Sequence, residues 1–336
     1  MRIRNWALFG LAMIVLTALL LLRINSIHDV VFPAPREEQG HRLTFVCGDM
    51  LDDDNISEYW NQCLAGLKAA SLETGTSLNL LSSNGDYEKL ADAYGSAVLS
   101  GAEGILCVGV EIKRLGAAID ASAGQGIPTV CLDGDVRSSE RIAYVGTDNT
   151  RAGAQAAEAL LARLDGPGTV VVLYPGFQTP QFRERVEGFC RYFEGRDGYE
   201  VFISDRYMTV GPYFVDHAGL LREILTDHPD TVGIFCPGTY IIARIVSQLG
   251  SLETGRPIRV ACFDDYSVIL ECIRDGSIDV TVVQDPYQMG YKALLLLCGY
   301  LEGGNSAVPE DTVYIDTFTI DAGNIDEEMQ KRGLGS

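Results

Sequence analysis

Ile127-Pro128-Thr129-Val130-Cys131-Leu132-Asp133-Gly134-Asp135, and then Arg141-Ile142-Ala143-Tyr144-Val145-Gly146-Thr147-Asp148-Asn149, follow one plan. A short apolar run ends in glycine and carboxylates. The second copy leads into Arg151–Leu164, whose apolar residues recur with helical period. Neither run alternates apolar with polar residues, as a strand buried on one face would. Both therefore read as strands covered on two faces, the mark of a parallel sheet.

The plan recurs along the chain. Apolar runs stand at 43–47, 78–82, 104–109, 128–132, 142–146, 169–174, 199–204, 232–236, 258–263, 279–283 and 312–320. Amphipathic stretches lie between them, among them Tyr59–Glu73, Tyr87–Ser100, Ile112–Ala123, Phe182–Phe193, Val215–Thr226, Ile241–Leu249, Val268–Asp275 and Met289–Leu301. Right-handed crossovers join such units into doubly wound sheets. Eleven such runs are too many for one small sheet, so the expected fold is α/β with two doubly wound parallel-sheet lobes.

Ligands of open parallel sheets bind beyond the carboxyl ends of the strands. Here those ends read Cys47-Gly48-Asp49, Val108-Gly109, Leu132-Asp133-Gly134-Asp135, Val145-Gly146-Thr147-Asp148-Asn149, Tyr174-Pro175-Gly176, Cys236-Pro237-Gly238, Phe263-Asp264-Asp265 and Val283-Gln284-Asp285-Pro286. Glycine lets the backbone turn and leaves room. Carboxylates and amides pair with hydroxyl groups. One Gly-Asp pair marks a turn or a helix cap; recurrence at most strand ends points to a binding surface.

Upstream of the first strand, Trp6–Leu22 is an apolar run preceded by Arg2 and Arg4 and closed by Arg23. About 17 residues at ~1.5 Å rise span roughly 25 Å, enough for a hydrocarbon core. The run is long for a signal peptide and lacks an A-x-A site or a following Cys. It therefore reads as an uncleaved anchor with its N-terminus inside, a cleaved signal peptide being the alternative. On either reading the rest of the chain is extracytoplasmic. Residues 24–41 form a polar, Pro-containing tether.

With 26 Lys and Arg against 46 Asp and Glu, the formal charge is −20. That balance excludes a phosphate-binding surface, so no nucleic acid partner is expected. Five of the nine Cys, at 47, 107, 131, 236 and 262, sit inside apolar strand runs and read as small core hydrophobes. No C-x-x-C pair or Cys/His cluster at metal spacing occurs.

In this order the motifs resemble the periplasmic sugar-binding proteins of the ribose/galactose type, whose type I periplasmic-binding fold also forms the core of LacI-type repressors. The resemblance covers roughly 42–320. It includes Ala152-Gly153, Arg183-Glu184-Arg185-Val186-Glu187-Gly188-Phe189, and Val282-Val283-Gln284-Asp285-Pro286 with Met289-Gly290-Tyr291. It implies two lobes joined by three crossover strands and closing on a small ligand. The N-terminal lobe is then 42–147 plus 285–312 and the C-terminal lobe 148–284 plus 313–336, behind the anchor or signal peptide at 1–23. Crossovers are expected near Gly146–Asn149, Asp264–Tyr266 and Gln284–Tyr287.

The resemblance also implies site residues. Tyr59 and Trp60 match the family's aromatic pair, which stacks on the apolar face of a sugar. Asp133 matches the strand-end Asp that takes hydroxyls; in the ribose pattern an Arg follows that Asp, whereas here Gly134 and then Asp135 follow. Arg183 matches the Arg of the second lobe, with Arg185 read as a salt-bridge residue. Asp264 and Gln284 match the Asp and Gln near the crossovers. Pro237-Gly238-Thr239-Tyr240, where the family has Asn, and the acidic Asp52-Asp53-Asp54 loop depart from the ribose pattern. That acidic run lacks the Gly and final Glu of a calcium loop, and neither a metal nor a cofactor is expected.

The leading function is capture of a sugar or sugar-like molecule outside the cytoplasm, for an ABC transporter permease or for sensing. The alternative is a tethered partner-binding domain that signals to a sensor histidine kinase or chemoreceptor. A repressor would need a DNA-binding N-terminus in place of the apolar segment. An enzyme would need a nucleophile with an oriented base. The four His and the absence of G-x-S-x-G, H-E-x-x-H or a phosphate loop offer none.

Overall fold

The computed structural model describes residues 30–31, 40–48, 57–174, 180–204, 217–238, 242–252, 255–308 and 310–334. The apolar segment Trp6–Leu22, most of the tether and the acidic loop at 49–56 lie outside them. In chain order the elements are β1 (Val30–Val31), β2 (Arg42–Cys47), α1 (Glu58–Thr74), β3 (Ser77–Ser82), α2 (Leu90–Leu99), β4 (Gly104–Cys107), α3 (Lys113–Ala123), β5 (Thr129–Leu132), β6 (Ala143–Gly146) and α4 (Asn149–Leu161). Then follow β7 (Gly168–Leu173), α5 (Pro180–Phe193), β8 (Tyr199–Ser204), α6 (His217–Asp227), β9 (Thr231–Phe235), α7 (Ile242–Leu249) and β10 (Arg259–Phe263). The chain closes with α8 (Ser267–Arg274), β11 (Val280–Val283), α9 (Pro286–Gly303), β12 (Thr312–Tyr314), β13 (Phe318–Asp321) and α10 (Ile325–Lys331).

These build two sheets, ordered β1-β3-β2-β4-β5-β6-β12 and β13-β11-β10-β9-β7-β8. Pairing is parallel through the middle of each, as in β2 with β3 and β4, and β7 with β8 and β9. The fold is α/β with two mostly parallel sheets. Two-sided burial explains the unbroken apolar runs. In the second sheet Val171 and Leu173 pack into one buried cluster with Leu221, Ile242 and Leu270. Their neighbours Val170 and Val172 pack into another with Ala156, Phe189 and Phe263.

The chain divides into two compact units and changes unit after Tyr144, Gln288 and Thr312. Asp264–Tyr266, expected as a crossover, lies inside the second unit; the third change falls within β12, after its first residue. Three elements depart from the sequence reading. The apolar run 312–320 is two strands in different sheets, broken at Ile315-Asp316-Thr317, and β13 runs antiparallel to β11. Val30–Val31, expected in the tether, pairs antiparallel with β3. The short acidic α10 was not foreseen.

Helix boundaries follow local chemistry. Ser57 caps α1 by accepting from the Trp60 N–H at 3.3 Å, and Gly75, at φ 68°, ends it. Asp148 caps α4 by accepting from the Arg151 N–H at 3.0 Å. Among the described residues no helix is long and apolar enough to cross a membrane.

Candidate functional site

In the first unit the polar groups gather on the turn after β5. Asp133 there has φ 62°, a left-handed conformation that costs an L-residue about 1–2 kcal/mol. The turn is held by the Gly109 N–H, which donates to Gly134 O at 2.9 Å, and by the Tyr144 hydroxyl, which donates to Asp133 O at 2.9 Å. Asp133 Oδ1 accepts from the Tyr59 hydroxyl, which also lies 3.4 Å from Met289 Sδ. Tyr59 is half-buried at the start of α1. Trp60 is buried, edge-on to Tyr59 at 5.2 Å and packed near Phe45. Of the expected aromatic pair, only Tyr59 reaches the turn, through its hydroxyl; Trp60 supports it from the core.

Asp135 departs from its expected place with Asp133. Both its oxygens are engaged by the Arg141 guanidinium, Nη2 at 2.8 Å, and Oδ1 also accepts from the Val136 N–H at 2.8 Å. A buried carboxylate needs such donors. Asp135 thus anchors the following loop.

In the second unit the turn after β10 repeats the conformation: Asp264 has φ 70°. Its N–H donates to Val282 O at 2.8 Å, and its carbonyl accepts from the Thr281 hydroxyl at 2.7 Å. Gln284 Nε2 donates to Asp264 Oδ1 at 2.7 Å, while Gln284 Oε1 accepts from Thr147 Oγ1 at 2.8 Å. Thr147 O accepts from Asn149 Nδ2 at 3.2 Å, and Asn149 Oδ1 from Arg185 Nε at 2.8 Å. Arg185 Nη1 reaches Pro237 O at 3.0 Å, and its guanidinium lies 4.1 Å from the Phe263 ring centroid. One buried network thus runs Arg185, Asn149, Thr147, Gln284, Asp264. Burial raises the Asp264 pKa; Arg185 and Gln284 pull it down, and Asp265 adds to the rise.

The two arginines of α5 lie in different surroundings. Arg183 is exposed, in the electrostatic reach of the Tyr174 hydroxyl. Arg185 is buried and carries the network rather than a surface ion pair. Residues two apart on a helix point to opposite sides, and the register is set by Gly188. A Cβ there would overlap Thr150 O, and one on Gly153 would overlap Arg185 O. The helices α4 and α5 touch backbone to backbone, turning Arg185 inward. Asn149 and Thr147 were missed as members of the network. Their only signal was their place in the strand-end motif Gly146-Thr147-Asp148-Asn149.

In the first unit Asp133 is an acceptor beside the Tyr59 hydroxyl; in the second, Asp264 is an acceptor beside the donors Asn149, Gln284 and Arg185; each set is of the kind that pairs with hydroxyls. Among the described residues no group of three or more His, Cys, Asp or Glu side chains could hold a metal ion.

A family model described as Periplasmic binding protein domain matches residues 50–305. The chain belongs to that family. The resemblance read from the strand-end motifs is borne out. The ribose import binding protein of Bacillus subtilis (strain 168) is 22% identical over 288 residues, 84% of this chain and 89% of that protein. GanP, a glucose-galactose binding protein from Geobacillus stearothermophilus, is 24% identical with a TM-score of 0.73, covering 84% of this chain and 98% of that one. XylFII is 26% identical with a TM-score of 0.69, covering 84% of this periplasmic-binding chain and 99% of its own. It is also known in a XylFII-LytSN complex, at 24% identity and a TM-score of 0.70, covering 85% and 99%.

Proposed function

We propose that the chain is an extracytoplasmic solute-binding protein that captures a sugar or sugar-like molecule and hands it to an ABC transporter permease. The observation that carries this reading is the pair of left-handed strand-end aspartates, Asp133 and Asp264, each backed by hydrogen-bonding side chains. In the second unit Asp264 accepts from the ligand's hydroxyls and Arg185, Asn149 and Gln284 donate to its oxygens; in the first unit Asp133 is an acceptor of the same kind. The Tyr59 ring lies against the ligand's apolar face, with Trp60 behind. Arg183 is an outer contact, and Asp135 acts only through its loop. The protein binds without chemical conversion.

Family membership and the ribose-binding relative support the sugar class. The Trp6–Leu22 segment, read as an anchor, ties the first unit to the membrane. A second reading, a membrane-tethered receptor that signals through a partner protein, is favoured by that anchor. It is consistent with XylFII having been solved with LytSN. The test is a thermal-shift screen of the full-length protein in detergent against pentoses, hexoses, amino sugars, polyols and inositols. A ligand bound by the folded state alone raises the midpoint by mass action. A rise with one class, abolished by Asp264→Ala, supports the reading; no rise with any class overturns it.

A further inference from the structure

The last helix is part of the second unit's core, not a loose end. Ile325 and Met329 of α10 are buried in the cluster that holds Cys262, Ile269, Leu270 and Val283. That packing delivers Arg332, just past the helix, to the Asp264 turn. Arg332 Nε lies 2.8 Å and Nη2 2.7 Å from Asp265 Oδ2. Its Nη1 is fixed by Glu328, 2.6 Å from Oε2 and 2.9 Å from the carbonyl oxygen. The side chains of Asp265 and Glu328 are each only 11% exposed, so this ion pair is shielded from screening by solvent. Lys331 takes the remaining Glu328 oxygen at 2.7 Å.

We propose that Arg332 is a positioning residue for the ligand site. Through Asp265 it clamps the turn that holds Asp264 in its left-handed conformation, and it offsets the negative charge next to the Asp264 carboxylate. The inference rests on Asp264 being a ligand acceptor. The groups that act on Asp264 are Arg185 on α5, Gln284 after β11 and Asp265 in the same turn; Arg332, held by Glu328, reaches it through Asp265. Asp265 opposes ionisation of Asp264. Losing Arg332 leaves that opposition unbalanced, so the Asp264 carboxylate becomes harder to ionise.

The test uses the full-length chain in detergent, as wild type, Arg332→Gln, Arg332→Lys and the double variant Arg332→Gln/Asp265→Asn. Hydrogen exchange of the 264–267 amides is followed without ligand. Affinities for D-ribose, D-xylose and D-galactose are measured from acid to neutral pH. In Arg332→Gln the 264–267 amides exchange faster while those of β2 and β4 are unchanged. Sugar affinity falls about tenfold on the acid side, its acid limb moving up by about one pH unit. Arg332→Lys recovers most of both effects. The double variant recovers the acid limb but not the exchange, because the opposing charge is gone and the clamp is still missing. Unchanged exchange with an unchanged acid limb in Arg332→Gln overturns the inference, as does faster exchange with unaltered affinity at every pH. If the wild-type chain binds none of the three sugars, the exchange decides alone: faster exchange in Arg332→Gln supports the clamp, and unchanged exchange overturns it.

Discussion

Gly153 lies so close to the Arg185 carbonyl that a methyl group on its Cα would overlap the oxygen. The contact joins the second turn of α4 to the part of α5 from which Arg185 enters the buried network. Gly153→Ala must force the helices apart, and overpacking of that kind costs about 1–3 kcal/mol. The expected result is a lower unfolding midpoint in urea together with weaker sugar binding. Normal binding by a destabilised Gly153→Ala protein would separate helix packing from the site.

Arg185 and Arg183 provide an internal comparison. Arg185→Ala strips donors from Asn149 Oδ1 and Pro237 O and removes the cation that lowers the Asp264 pKa. Removing one partner from such a buried arrangement costs about 3–5 kcal/mol. Arg183→Ala changes an exposed side chain and should leave the unfolding midpoint nearly unmoved. Chemical denaturation and calorimetric titration of both variants check the assignment. A larger loss of binding in Arg183→Ala would reverse it.

How far these features were legible in the sequence differs from residue to residue. Strands such as Val170–Leu173 could be read because burial on both faces leaves an apolar run. The positions of Asp133 and Asp264 could be read because each ends such a run. The inward turn of Arg185 could not: it depends on the facing glycines of two helices, and neither sequence segment alone states that they meet. Trp60 and Tyr59 are adjacent, and only the packing on Phe45 tells core from site. Helix α10 is short, with Asp326, Glu327 and Glu328 in its first turn, so its apolar stripe of Ile325 and Met329 is too brief to register as a period. The run 312–320 hid a break because Ile315 stays buried while the chain passes from one sheet to the other.

The Asp264 carboxyl makes stability and binding pull in opposite directions. Burial is the leading influence and raises its pKa. An acid whose pKa is higher folded than unfolded favours the folded state fully only below its unfolded value, about 3.9. That stabilisation is lost as pH rises through the folded value. Asp264→Asn, which keeps the left-handed turn accessible, should therefore unfold at a higher temperature than wild type at pH 7. The difference should close near pH 3, and sugar binding should be weakened throughout. Scanning calorimetry across pH decides this; equal midpoints at pH 7 would contradict it.

Tyr59→Phe removes the hydroxyl that Asp133 accepts from, at a cost of about 1 kcal/mol or less in stability. The ring remains. Binding should fall by less than tenfold in Tyr59→Phe and by considerably more in Tyr59→Ala, since an aromatic face contributes area as well as a polar tip. Isothermal titration of the two variants measures the separate shares of ring and hydroxyl.

All nine cysteines are free, and only Cys190 and Cys272 are not fully buried. Burial pushes the Cys131 and Cys262 thiols up to about 12 and the Cys190 thiol to about 11. The native chain at pH 8 should therefore react slowly with a thiol reagent, and at Cys190 and Cys272 alone. All nine should react in denaturant. Rapid native modification of Cys63, which lies near Asp133 and whose pKa that carboxylate raises further, would show that the first unit opens.

The three changes of unit along the chain dictate an order of assembly during synthesis. The first unit includes Met289–Thr312, and α9 presses there on α1, with Gly290 against the Cys63 carbonyl. The ribosome must make all of Val145–Gln288 before that helix exists, roughly 7–30 s at about 5–20 residues per second. Throughout that interval the flank of α1 that α9 will cover is open, so the portion of the polypeptide made first is completed late.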